Sequence, residues 1–287
     1  MKVKIGNRYV GDGEPCFIVA EVGINHNGDL SIAKKLIEAA KNVGCDAVKF
    51  QKRTVELVYN EKELAAPRES PFGSTNGDLK RGLEFGFEEY REIQQYCKQL
   101  QIDYFASCWD EQSVDFMGQF DPICFKIASA TLTDDQLLKK TRAMGKPILL
   151  STGMSTIEQI DHAVEILGKE NLIILQCTST YPCKVEELNL SVIQTLKQRY
   201  KVPVGYSGHE VGLPTTIAAV ALGACVIERH ITLDRSMWGS DHAASVEIRG
   251  FERLVREIRN VDKATGNGVK KVYESEKPIM KKLRRTY

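Results

Sequence analysis

CFIVAEVG, residues 16–23, is the stretch on which the fold turns. Its first half is continuously apolar and rich in β-branched residues, as expected of a strand buried on both faces of a parallel sheet. It then ends in Glu21 and a glycine. The same grammar recurs in AVKFQ (47–51), DYFASC (103–108), CFKIAS (124–129), PILLST (147–152), LIILQCT (172–178), PVGYSGH (203–209) and CVIERHIT (225–232). Each run begins apolar and finishes in polar residues, and stretches of helical periodicity lie between them. Eight such units predict an α/β fold, the (β/α)8 TIM barrel, whose active site lies at the C-terminal ends of the strands. The polar endings, scattered along the chain, are therefore expected to meet in space.

The bulk properties agree. At 287 residues and 43% hydrophobic, the chain suits one barrel better than two ordinary domains. Its 39 basic and 38 acidic side chains leave no field for nucleic acid or an anionic membrane. No stretch approaches the roughly 20 apolar residues of a bilayer span, and the start lacks the apolar core of a signal peptide. The eight cysteines contain no CxxC pair and mostly fall inside expected strands or helices. They read as free thiols in a reducing cytoplasm. Cys108 and Cys177, at strand ends, are the two that could face the site.

Residues 3–11 alternate around Gly6–Asn7, which predicts a β-hairpin plugging the N-terminal end of the barrel. A first helix follows Asp29 and stops at Gly44. Further helices are expected at 84–101, 111–120, 134–145, 156–170, 188–200, 213–223 and 248–266. The segment 52–83, containing APRESPFGSTNGD, reads as a long specificity loop on the active-site face. The tail, 268–287, reads as basic and partly helical.

The strand-end candidates are Glu21, Lys49, Gln51, Ser107, Lys126, Ser129, Ser151, Thr152, Thr178, Ser179, Tyr181, Ser207, His209, Glu228, His230 and Asp241. Two lysines in one barrel mouth repel each other and lose hydration, a cost relieved by a multiply charged anion between them. Ser129, Ser151 and Ser207 add hydroxyl donors suited to phosphate oxygens. His209 and His230 end adjacent strands, about 4.8 Å apart in a parallel sheet, so two imidazoles can reach one divalent first-row ion. His26 and His242 stand in flanking loops, and His162 falls in an expected surface helix.

At these residues the chain resembles the sialic acid synthase family. The motifs are AEVGINHNGD (20–29), VKFQ (48–51), FKIASA (125–130), LSTGM (150–154), CTSTYP (177–182), GYSGHE (205–210), ERHIT (228–232) and GSDHAAS (239–245). The resemblance implies metal-dependent condensation of phosphoenolpyruvate with a mannose-type aldose, N-acetylmannosamine or mannose 6-phosphate, releasing phosphate by C–O cleavage. It implies Mn²⁺, with Mg²⁺ or Co²⁺ as substitutes, held by His209 and His230. Lys49, Lys126, Ser107, Ser129, Ser151 and Ser207 match the family's phosphoenolpyruvate contacts. Glu21, Gln51, Tyr181 and Asp241 match its sugar contacts, Ser179 is a further substrate-binding candidate, and Glu21, Lys49, Lys126 and His230 form the catalytic set. A cytoplasmic homo-oligomer is implied. Three positions depart from the family pattern: Thr131 replaces a glutamate, Ser179 an asparagine and Gly208 an aspartate. Typical members also carry a C-terminal antifreeze-like domain, expected to be lacking here. A phosphorylated aldose then becomes attractive, with Arg68, Lys80 and Arg81 placed to meet its distal phosphate. The alternatives are a sugar-acid phosphate synthase using a shorter phosphorylated aldose and a non-catalytic sugar-acid-binding barrel.

Overall fold

The structure is a computed structural model that describes every residue except Tyr287, which ends the expected tail and lies outside the described residues. Among the described residues eight parallel strands close into a barrel. They are β1 (Phe17–Gly23), β2 (Ala47–Lys52), β3 (Asp103–Cys108), β4 (Phe125–Ile127), β5 (Ile148–Ser151), β6 (Leu172–Cys177), β7 (Val204–Gly208) and β8 (Val226–Thr232). Each strand pairs with its sequence neighbour, and β8 closes on β1 from Val226↔Phe17 to His230↔Glu21. The outer helices are α1 (Leu30–Asn42), α2 (Phe87–Leu100), α3 (Glu111–Gly118), α4 (Asp135–Ala143), α5 (Ile157–Leu167), α6 (Val192–Tyr200), α7 (Pro214–Ala221) and α8 (Ile248–Thr265).

Local chemistry sets the helix starts. The Asp29 carboxylate accepts from the backbone N–H of Ser31 at 2.7 Å and so caps α1. Thr156 and Gln159 form a reciprocal capping box at α5. Helical spacing then buries one face, as in Phe251, Leu254, Val255 and Ile258 of α8.

Alternation within each strand makes two cores. Outward residues such as Ile18, Val48, Tyr104, Ile127 and Ile227 pack under the helices. Inward residues at the strand starts, including Phe17, Val19, Phe105, Leu149, Ile173 and Val226, pack on Val3, Ile5 and Val10. The last three belong to the hairpin Lys2–Ile5/Arg8–Gly11, which plugs the bottom of the barrel as expected.

Two expectations need correction. The segment after β2 is not an irregular loop: it holds helices Val55–Val58, Glu61–Ala65 and Asn76–Leu83 and a hairpin, Pro67–Ser70/Gly73–Thr75. Capping boxes at Asn60/Glu63 and Thr75/Asp78 nucleate two of those helices. And β4 ends at Ile127, because Ser129–Thr131 turns into a 3-10 helix. The tail carries an exposed helix, Lys277–Leu283.

Candidate active site

One step above the apolar plug, the inward positions turn polar. A cavity of about 230 Å³ opens there, at the C-terminal ends of the strands. Its lining includes Glu21, Lys49, Gln51, Ser107, Lys126, Ser129, Ser151, Ser179, Tyr181, Ser207, His209 and His230. Asp241 sits at its rim, its carboxylate 3.8 Å from the His230 ring.

The two lysines do not face each other unpaired, which corrects the charge argument drawn from sequence. Lys49 Nζ contacts Glu21 Oε2 at 2.8 Å and Glu228 Oε1 at 3.7 Å. Lys126 Nζ donates to both oxygens of Glu228, at 2.9 and 3.1 Å. Ser207 Oγ also donates to Glu228, at 3.1 Å. All four charged groups are buried. Two cations and two anions thus offset one another's desolvation within a water-poor barrel.

Their titration differs. Burial raises the Glu21 carboxyl above its usual range, and Lys49 offsets this only in part. Burial pushes Glu228 up too, but Lys126 and Lys49 outweigh it and hold that carboxyl down at about 2. Burial disfavours the Lys49 ammonium, yet Glu21 and Glu228 more than compensate and keep it charged. Glu21 is therefore the acid of this cluster readier to take a proton.

Supporting groups fix the wall around Gln51. The Gln51 amide N–H donates to Glu21 Oε1 at 3.0 Å, while its oxygen accepts from Arg53, so its orientation is set from both ends. Arg53 in turn is held by Glu84 at 3.1 Å and lies over the Trp109 ring. On the other side, Ser129 Oγ accepts from the Gly153 N–H at 3.0 Å. The Ser151 hydroxyl is buried in the cavity wall with no partner, a donor left for a ligand.

His209 and His230 come together as expected, with ring centroids 5.6 Å apart and the Tyr181 ring packed against both. His209 Nδ1 lies 2.9 Å from the Thr178 carbonyl. A carbonyl only accepts, so Nδ1 carries a proton and, in the neutral ring, the lone pair sits on Nε2. Burial presses the His230 pKa down to about 3, so that ring is neutral, and its buried Nδ1 has no hydrogen-bond partner. Burial alone would lower the His209 pKa, but Cys177 and the Thr178 carbonyl outweigh it and raise it. In its neutral form that ring, with its proton on Nδ1, joins the orphaned His230 nitrogen in a donor pair that fits a divalent cation. Among the described residues no cluster of three His, Cys, Asp or Glu adds a further ligand.

Behind the pair lies a structural lock. Glu210 follows His209, and Arg229 precedes His230, pointing outward because alternation sends it to the opposite face. Arg229 donates to Glu210 Oε1 at 3.0 Å and to the Glu210 carbonyl at 2.6 Å. Tyr206 and Thr216 hydroxyls donate to the same carboxylate, at 2.9 and 2.6 Å. This buried knot joins the ends of β7 and β8 just where the two imidazoles project.

The other candidates are placed elsewhere. His26 stacks on Phe85 at 4.1 Å and accepts from the Gly28 N–H; His242 is engaged by Thr232 at 2.7 Å. His162 pairs with Asp135 on the surface. Cys108 is out of phase with Ser107, so it points under α3 and donates to the Ser113 carbonyl. Cys177 does line the cavity, 3.9 Å from His209 Nδ1; burial raises its pKa, but His209, Ser129 and Lys126 outweigh burial and lower it. All eight cysteines are free. Glu228 is the residue whose role sequence reasoning missed; its signal was its two-residue spacing from His230 on one strand. Trp109 and Met154 also line the cavity.

Fold and cavity together define a class, a barrel enzyme that combines buried acid–base groups, an anion-binding wall and paired imidazoles. Residues 36–270 match the NeuB family, and this chain belongs to that family. N-acetylneuraminate-9-phosphate synthase of Homo sapiens is 42% identical over 281 residues, covering 96% of this chain and 78% of that protein. N,N'-diacetyllegionaminic acid synthase of Campylobacter jejuni is 39% identical over 277 residues, covering 94% and 83%. The crystal structure of N-acetylneuraminic acid synthetase from Leptospira borgpetersenii, in complex with citrate, superposes with a TM-score of 0.87 at 32% identity, covering 100% of this chain and 98% of that one.

Proposed function

We propose that this cavity is the active site of a nonulosonic acid synthase, a carbon–carbon bond-forming enzyme that condenses phosphoenolpyruvate with a mannose-type aldose. The observation that carries this reading is the meeting of Lys49, Lys126 and the unpaired Ser151 hydroxyl with the His209–His230 pair in one buried cavity.

The side chains divide the work. Lys49 and Lys126 release their glutamates to bind the phosphate and carboxylate of phosphoenolpyruvate, with Ser107, Ser129, Ser151 and Ser207 contributing hydroxyls. Gln51, Ser179, Tyr181 and Asp241 orient the aldose. C3 of phosphoenolpyruvate attacks the aldehyde carbon, water adds at C2, and phosphate leaves with cleavage of its C–O bond. Glu21 moves a proton at the aldehyde oxygen, the role its raised pKa suits. A divalent ion held by His209 and His230, Mn²⁺ ahead of Mg²⁺ or Co²⁺, would supply Lewis-acid polarisation of that carbonyl. Alignment of two bound reactants lowers the barrier by as much as about 7 kcal/mol or more. No helix among the described residues is long and apolar enough to cross a membrane, and the free thiols suit a reducing compartment.

The test is incubation with phosphoenolpyruvate, Mn²⁺ and either N-acetylmannosamine or mannose 6-phosphate, following phosphate and product mass. Phosphate should appear in step with a nine-carbon 2-keto acid, and only with both substrates present. Phosphoenolpyruvate binding without phosphate release from either sugar would overturn the reading.

A further inference from the structure

Next to the catalytic cavity, the folded segment after β2 meets the loop after β8 around a second hollow of about 460 Å³. Arg68, Glu69 and Lys80 enter its wall from the first segment, Trp238 and Ser240 from the second, and Ile24 from the end of β1. Two of these walls continue directly into the catalytic site. Ser240 adjoins Asp241, whose carboxylate is 3.8 Å from the His230 ring. Ile24 adjoins Gly23, where an added Cβ would lie 3.2 Å from both Gln51 Nε2 and Glu21 Oε1. An aldose laid along these two connections, with its aldehyde near His230, would direct its far end here.

The cations in this hollow form no ion pair among the described residues. The cation at its rim, Arg68, reaches the Asn76 side-chain oxygen at 3.5 Å, and the Lys80 ammonium lies 4.9 Å from the centre of the Tyr59 ring. Among the described residues neither has a carboxylate within ion-pair distance, although Glu69 stands on the same wall. Neighbouring cations are treated differently. Arg81, expected from sequence to join Arg68 and Lys80, is paired with Glu56 at 2.9 Å and does not line the hollow, and Arg53 is bound by Glu84 at 3.1 Å. Burial and then repulsion from Arg53 and Arg68 lower the Lys80 pKa, and the pull of Asp241 and Glu84 offsets this only in part. An anion in the hollow relieves that strain.

We propose that this hollow is the subsite for a phosphate monoester at the far end of the aldose, held by Arg68 and Lys80. The guanidinium fork suits two phosphate oxygens and the ammonium a third, while the Trp238 ring gives the sugar carbons an apolar wall. The inference rests on the synthase reading above and narrows its substrate to a phosphorylated sugar.

Calorimetric titration with N-acetylmannosamine 6-phosphate and with N-acetylmannosamine, on wild type, Lys80→Gln and Arg68→Ala, tests it. The same proteins are assayed for kcat/KM with each sugar. Wild type should bind the phosphorylated sugar about tenfold or more tightly than the free one. The ratio of the two kcat/KM values should fall about tenfold in each variant. Equal affinity of wild type for both sugars, or a ratio unchanged in the variants, overturns the subsite. If the phosphorylated sugar binds through Lys80 and Arg68 but no phosphate leaves phosphoenolpyruvate with either sugar, the synthase reading falls and the subsite stands.

Discussion

Glu21 and Glu228 bring the same side chain into the same cavity with opposite tendencies toward a proton. Glu21 has one lysine and one amide around it, too little to offset burial, whereas Glu228 has two lysines and the Ser207 hydroxyl. Glu21→Gln keeps shape and removes the proton carrier, so kcat should drop about 10²- to 10⁴-fold while phosphoenolpyruvate affinity is equal to or above that of wild type. Steady-state kinetics decide, and a kcat within a few-fold of wild type would dismiss Glu21 as proton carrier. Glu228 acts on stability instead. Its carboxyl falls from 4.5 to about 2 on folding, so its contribution is complete above about pH 4.5 and is lost as pH falls toward 2. Urea midpoints across that window should decline less steeply in Glu228→Gln than in wild type; parallel slopes would contradict the assignment. Strand alternation made the inward-facing residues legible in the sequence. Their partners were not legible, because Lys126 and Glu228 meet across 102 residues of chain and only barrel closure brings them together.

Among the elements, β7 and β8 carry the heaviest constraint, since each ends in one of the paired imidazoles. The Glu210–Arg229 knot holds those ends in register from outside the barrel. Arg229→Leu strands a buried carboxylate and should cost about 3–5 kcal/mol in chemical denaturation. Adding Glu210→Met should recover most of that loss, and a double variant as unstable as the single would show that packing rather than charge is responsible. Element identities were readable from periodicity, as the eight strands attest, but one segment misled. Between β2 and α2, proline, glycine and serine read as loop, while the capping signals Asn60/Glu63 and Thr75/Asp78 specified helices. Likewise CFKIAS reads as strand throughout, yet the chain turns at Ser129, which lets that hydroxyl reach the Gly153 N–H.

At the scale of the molecule, the barrel separates what holds it together from what it does. The hairpin seals one end with Val3, Ile5 and Val10 against the inward strand starts. Asp46 ties it in, accepting from Arg8 of the hairpin, the Ile18 N–H of β1 at 2.7 Å and Arg259 of α8 at 2.7 Å. Ile5→Ala empties a fully buried position and should lower unfolding free energy by about 2–5 kcal/mol. Because chemistry occupies the opposite end, kcat of the folded variant should match wild type, and a large fall in kcat would show that the two ends are coupled. The barrel was legible because its repeating unit is local; the second hollow was not, since it forms only where two distant excursions meet.

The self-neutralised cavity has a kinetic consequence. An arriving anion must displace glutamates that are already in place, so the protein acts as an intramolecular competitor of its own ligand. Affinity is reduced by that competition, but departure gains from it. In the proposed reaction, freed phosphate leaves Lys49 and Lys126 with Glu21 and Glu228 as ready partners, so the departing anion leaves no charge bare.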